Sequence, residues 1–247
     1  MAIDVAARVH DEQITRLILD YLMGETDGIP KDFKYLFRLY MKMKQYAEAA
    51  KTATIIAREE QQSGNYRNAH QLFFSMCREL RKNLIAIPTE MAFNLMLIHS
   101  YMLAKLWIRI GDHRLSAKLL IRVYDNINQF PSHSVQILTF VVIECIRAGF
   151  IRNALKYAYI LMKQENLNQI DSKLRKKIEN LVRKSASSEK RLSSYEEIRM
   201  ELSIRTNPCP YCNELVADDE FVCNGCRMAI PFCIASGMPI YLSDMTK

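Results

Sequence analysis

Gly64-Asn-Tyr-Arg-Asn-Ala69 runs straight into His70-Gln-Leu-Phe-Phe-Ser-Met-Cys-Arg-Glu-Leu80. The first part reads as a stop and a restart. A glycine ends one helix, an aromatic follows, and a small alanine sits early in the next. The second part puts Leu72, Phe73, Met76 and Leu80 on one face at helical spacing. A small residue at a helix start lets two helices approach closely, so the combination predicts an antiparallel helix pair. The signature recurs at Lys44-Gln-Tyr-Ala-Glu-Ala49, Gly111-Asp-His-Arg-Leu-Ser-Ala117 and Gly149-Phe-Ile-Arg-Asn-Ala154. Faces of the same period occupy Phe33, Leu36, Phe37, Tyr40 and Met41, and again Met91, Leu95, Ile98, Met102 and Leu106.

The four signatures begin 20, 47 and 38 residues apart, with further breaks near Pro88 and Pro131. A strict tetratricopeptide period of about 34 residues is therefore not kept, but a turn falls often enough for roughly nine helices. Composition agrees: 49% hydrophobic residues with 7 Gly and 7 Pro favours packed helices over a β-architecture. The expectation is an all-α, TPR-like α-solenoid over residues 1–184, whose helix pairs bury their faces on one another and leave extended surfaces for binding.

The tail has a different chemistry. Cys209-Pro-Tyr-Cys212 is followed after ten residues by Cys223-Asn-Gly-Cys226. Two thiolates on one tight turn bite a single ion, and a second such turn completes a tetrahedral sulfur shell of the kind zinc accepts in structural sites. Gly225 and Pro210 suit the two tight turns. The expected ligands of a structural Zn²⁺ are thus Cys209, Cys212, Cys223 and Cys226. Cys233, with no CxxC partner, is either a packed thiol or a ligand of a second, incomplete site. Short strands are expected at Leu215–Val216 and Phe221–Val222, in a zinc-ribbon-like module spanning 206–247. Residues 185–205 read as a serine-rich, charged linker with a possible short helix at Tyr195–Ile204, leaving the module free to move.

Five of the seven cysteines lie in this tail, and Cys77 and Cys145 stand alone in apolar stretches, which suits a reducing compartment and not a disulfide framework. The N-terminus lacks the apolar core of a signal peptide. Ile137–Cys145 is far shorter than the roughly 20 residues a membrane span needs, so no transmembrane segment is expected in this soluble chain. Net charge is +7, and Lys173–Arg191 alone carries eight basic residues against Glu179 and Glu189. Such a run is a solvated helix face or a seat for an acidic partner. Nucleic acid is not expected, because no aromatics interleave with the basic residues.

Catalytic signals are absent from the sequence. His10, His70, His99, His113 and His133 are all remote in sequence from the cysteines, and His99 suits a satisfied core or groove position. Glu59 and Glu60 are helix neighbours pointing about 100° apart, no phosphate-binding glycine loop or nucleophile elbow occurs, and Cys77 and Cys145 suit inert buried thiols. A RING-type ligase needs eight ligands, and five cysteines and no histidine follow residue 205.

Several blocks resemble one family. They are Gly28-Ile-Pro-Lys-Asp-Phe33, Ile55-Ile-Ala-Arg-Glu-Glu60, Gly64 to His70, Ile143-Glu-Cys-Ile-Arg-Ala-Gly149, the cysteine pairs, and Ile230-Pro-Phe-Cys-Ile-Ala-Ser-Gly237. Together they are similar to the C-terminal part of a WD-repeat subunit of intraflagellar transport complex A. The resemblance implies a non-enzymatic scaffold that serves retrograde ciliary transport and admission of membrane cargo to the cilium. Implied partners are other helical-repeat subunits of that complex, with membrane cargo or adaptors reached indirectly. The implied location is the cilium and ciliary base, in cytoplasm and associated with the cytoskeleton. Family members begin with WD40 propellers, for which this chain, with its single Trp107, has no blade signature, and their tails carry further cysteine pairs. The chain therefore reads as part of a longer protein, with a truncated zinc module. The alternative from another class is a zinc-ribbon nucleic-acid-binding protein with helical repeats.

Overall fold

The computed structural model describes residues 12–163, 172–188, 206–218, 220–233 and 237–242. Among them are nine α-helices: α1 (Glu12–Met23), α2 (Phe33–Lys42), α3 (Tyr46–Gln62), α4 (Tyr66–Lys82), α5 (Thr89–Ile110), α6 (His113–Tyr124), α7 (Ser134–Ala148), α8 (Ile151–Leu161) and α9 (Ser172–Ser188). Two 3₁₀ turns, Ile127–Gln129 and Pro131–His133, join α6 to α7. Two short strands, β1 (Thr206–Pro208) and β2 (Leu215–Ala217), follow. The fold is the expected all-α, TPR-like solenoid with a small module after it.

The four turn signatures lie at the α2–α3, α3–α4, α5–α6 and α7–α8 junctions. Their opening residues, Lys44, Gly64, Gly111 and Gly149, all adopt left-handed backbone, with φ of 58, 80, 91 and 81°. That conformation ends a helix, because a following residue's N–H can then turn back to the last carbonyls. At Gly149 the Phe150 N–H donates to the Cys145 carbonyl at 2.9 Å. The signature alanines Ala49, Ala69, Ala117 and Ala154 are all fully buried, as close helix approach demands. Tyr66 and Phe150 are buried as well, so these turn aromatics serve inter-helix packing.

The chain divides into two compact units, Met1–His99 with Gln129–Ser132, and Ser100–Asn128 with His133–Lys247. In the first, α1 packs on α2, α2 on α3, and α3 on α4. Leu22, Leu36 and Leu39 form the α1–α2 core, with Phe33 and Tyr40 packed at its edge. The segment Gln129–Ser132 reaches this unit from far along the chain. Gln61 Nε2 donates to the Gln129 carbonyl at 3.2 Å, and the fully buried Phe130 lies 5.1 Å from the Tyr66 ring. His70 and His99 stack at 5.2 Å and share a 3.1 Å ring-nitrogen hydrogen bond, a satisfied pair.

In the second unit α6 packs on α7, α7 on α8, and α9 on α8. The buried Glu144 of α7 binds α6 through His113 Nδ1 at 2.8 Å and accepts from Ser116 Oγ at 2.7 Å. Arg147 Nη1 donates to its other oxygen at 3.0 Å. Cys145 is fully buried, as is most of Cys77 in the first unit, where burial pushes its thiol pKa up; both are inert thiols.

Two expectations shift. The apolar face of α5 is rotated: Met91, Leu97, Ile98, Tyr101 and Ala104 are buried while Leu106 is half exposed. By length and composition this helix could cross a membrane, but these side chains are buried within the protein, as in the inner helix of a repeat. The last helix runs to Ser188, so it takes in the first four residues of the expected linker. The rest of that linker, including Tyr195–Ile204, lies outside the described residues.

Candidate metal centre and its seat on helix α6

β1 and β2 pair antiparallel, Thr206 opposite Ala217 and Pro208 opposite Leu215, and the Cys209–Cys212 turn closes this hairpin. Cys209 N–H donates to the Glu214 carbonyl at 2.8 Å, and Asn213 N–H returns to the Cys209 carbonyl at 3.1 Å. The second pair repeats the arrangement. Cys223 N–H donates to Met228 O at 3.0 Å, Arg227 N–H to Cys223 O at 2.9 Å, and Val222 bridges Ala229 where a strand was expected at Phe221–Val222. Asn213 and Arg227, each just after the second cysteine, carry the left-handed φ of 63 and 57°. Gly225 therefore supplies no unusual φ. It leaves room, since a Cβ there would stand 3.3 Å from the Glu214 side chain and 3.6 Å from Cys212 Sγ.

The four sulfurs all lie within 4.8 Å of one another. Cys209 and Cys226 Sγ are 3.8 Å apart and Cys212 and Cys223 Sγ 3.5 Å. A tetrahedral ion with metal–sulfur bonds of about 2.3 Å requires sulfurs about 3.8 Å apart, so the donor set fits a metal ion. Tyr211 N–H points at Cys209 Sγ at 3.4 Å, the backbone donor a thiolate uses. Burial opposes ionisation of Cys209, but the Tyr211 and Cys212 N–H groups and the Cys223 and Cys212 thiols bring its pKa down to about 7. At Cys226 the Met228 N–H favours the thiolate, yet burial and the other three thiols push the pKa up to about 12. Four thiols this close resist losing all their protons to water, and a cation that replaces those protons removes the conflict.

Cys233 is not among these four. Its N–H donates to Met238 O at 2.8 Å, and Gly237 N–H donates to its carbonyl at 2.7 Å. Phe232 bridges Pro239. The module's small core is Cys209, Val216, Cys223, Ile230 and Tyr241.

This module is seated on α6 inside the second unit. Arg114, Lys118 and Arg122, spaced four residues apart, form one row on the helix. Arg114 Nε donates to Asp218 Oδ2 at 2.7 Å, and Lys118 Nζ pairs with Asp218 Oδ1. Asn207 Nδ2 lies 3.4 Å from the same oxygen. Arg122 Nη1 donates to the Gly237 carbonyl at 2.8 Å, and its guanidinium lies over the Phe232 ring at 3.8 Å. Burial lowers the Arg122 pKa to about 10, with Tyr241 opposing, and the carbonyl and ring contacts offset part of that desolvation. Gly237, at φ 71°, packs where a Cβ would strike Leu119 Cδ2 at 2.2 Å. The module is docked on α6, whose buried cations take their counter-charge and acceptor from it. Sequence reasoning missed this row. Its one signal is three basic residues at helical spacing within the otherwise apolar His113–Tyr124.

Helical hairpins in series, closed by a four-cysteine module that can hold a metal ion, define a helical-repeat protein with an attached metal-binding module. No protein-family model matches the chain. Over its whole length, however, it is similar to WD repeat-containing protein 19 of mouse, at 52% identity over 246 residues, and of human, at 50%. WD repeat-containing protein dyf-2 of Caenorhabditis elegans is 36% identical over 247 residues. Each match covers 100% of this chain and 17% of the relative, so the chain corresponds to a C-terminal portion of these long proteins.

Proposed function

We propose that the chain is part of a non-enzymatic scaffold subunit of intraflagellar transport complex A, with a structural zinc ion held by Cys209, Cys212, Cys223 and Cys226. The observation that supports this reading is the similarity, over the whole of this chain and 17% of the relatives, to the WD repeat-containing protein 19 sequences, whose names denote a repeat and not a reaction. The helical repeat supports it, since such a build works by presenting surface. So do the polar clusters described, at Glu144 and at Asp218, which join helix to helix and helix to module. On this reading the subunit serves retrograde ciliary transport and the admission of membrane cargo, at the cilium and its base. It acts through contacts with other helical-repeat subunits.

Affinity capture with the tagged chain from ciliated cells tests the proposal. Recovery of transport-train subunits is the expected result. Recovery of polymerase or ribosomal subunits in their place would overturn it in favour of nucleic-acid-associated work.

A further inference from the structure

An open groove of about 370 Å³ runs between α7 and α9. Its floor is aliphatic, formed by Ile143 and Ile146 of α7 and Leu174 and Ile178 of α9, and Arg147 and Lys177 stand at its edges. Ile178 is 2% exposed while Ile146 is 37% exposed, so the floor runs from core to solvent. Both rim cations are accessible to solvent. Arg147 gives one nitrogen to Glu144 and keeps a half-exposed side chain, and Lys177 makes no ion pair among the described residues. Along α9, Glu179 is already engaged by Arg175 at 2.9 Å. The helix sequence carries six basic residues against that one acid, a net positive charge along the element that forms one wall of the groove.

We propose that this groove receives an amphipathic helix of a partner protein, with aliphatic anchors at i, i+3 or i+4, and i+7, and carboxylates flanking them. An aliphatic floor with cationic rims complements that peptide on both counts. A nucleic acid fits the charge alone, because the groove offers no aromatic face for a base to stack on. The proposal rests on the scaffold reading and deepens it by naming the chemistry of one partner.

The test uses the purified full chain, so its failure stays distinguishable from failure of the capture experiment. A phage-displayed library of helical peptides is selected on the chain, and the enriched peptides are fluorescein-labelled for anisotropy titration. Acidic peptides with that apolar spacing should be enriched. Ile146→Glu and Lys177→Glu, both at exposed positions, should each weaken them at least tenfold, while Arg152→Glu, an exposed charge reversal on α8, should not. Circular dichroism confirms that each variant is folded. Absence of enrichment, enrichment of basic peptides, or unchanged binding to the two groove variants would overturn the proposal. So would a single-stranded oligonucleotide that binds through Lys177 where the acidic peptides do not.

Discussion

Lys118 Nζ and Asp218 Oδ1 form an ion pair across 100 residues of sequence, with both side chains about nine-tenths buried. One comes from the middle of helix α6 and the other from the residue that follows strand β2 in the cysteine module. Removing one partner of such a pair strands the other charge. Asp218→Ala should therefore destabilise the second unit by about 3 kcal/mol, whereas Lys118→Met combined with Asp218→Leu should recover most of it. Chemical denaturation of Lys118→Met, Asp218→Leu and the double variant measures the coupling. A coupling near zero would mean that the contact does not hold the module.

Acid should loosen the same contact. Burial raises the Asp218 pKa, but the hydrogen bonds and charges of Lys118 and Arg114 outweigh it and hold the carboxyl below its ordinary 3.8. A depressed carboxylate pKa contributes stability that is complete above the ordinary value and is lost as pH falls through the depressed one. The pair's contribution should thus be constant from neutrality to about pH 5 and vanish below the usual carboxylate range. Stability of Asp218→Asn, compared with the parent from pH 7 to pH 2, should converge with it at the acid end. A difference that persists at pH 2 would count against this origin.

Cysteine replacements should sort by position. Cys223→Ser should lower bound metal and open residues 206–242 to protease, while the helical circular dichroism signal stays near that of the parent. Cys233→Ser should leave metal content unchanged, since its thiol stands outside the four-sulfur cluster. Elemental analysis of protein prepared without chelator decides both points. An equal loss in the two variants would make Cys233 a ligand.

The turn signature can be checked through its alanine. Ala69 is fully buried, and Ala69→Leu should cost about 1–3 kcal/mol by overpacking the α3–α4 contact. Ala92→Leu, at an exposed position on α5, should change little. Thermal melts of the two variants give the comparison.

What sequence revealed, and what it hid, follows one physical division. Helix ends at Lys44, Gly64, Gly111 and Gly149 were legible because a left-handed stop and a small restart residue are local events. The four cysteines were legible because ligand spacing within a turn is local too. The return of Phe130 to the first unit was not, since nothing near Phe130 specifies Tyr66 as its neighbour. The row of basic residues on α6 was missed for the same reason: its counter-charge, Asp218, lies far along the chain. The face of α5 was misjudged because apolar residues surround most of that helix, and only its neighbours choose the buried side.

Hydrogen exchange with mass spectrometry, with and without a zinc chelator, tests the central claim that the four-cysteine module is docked on α6. The account predicts that chelation removes protection from residues 206–242 and also from His113–Tyr124, the helix whose buried cations the module satisfies. Protection of α3, in the other unit, should be unchanged. If the module lost protection and α6 kept all of its own, the docking described here would contribute nothing and the account would be contradicted.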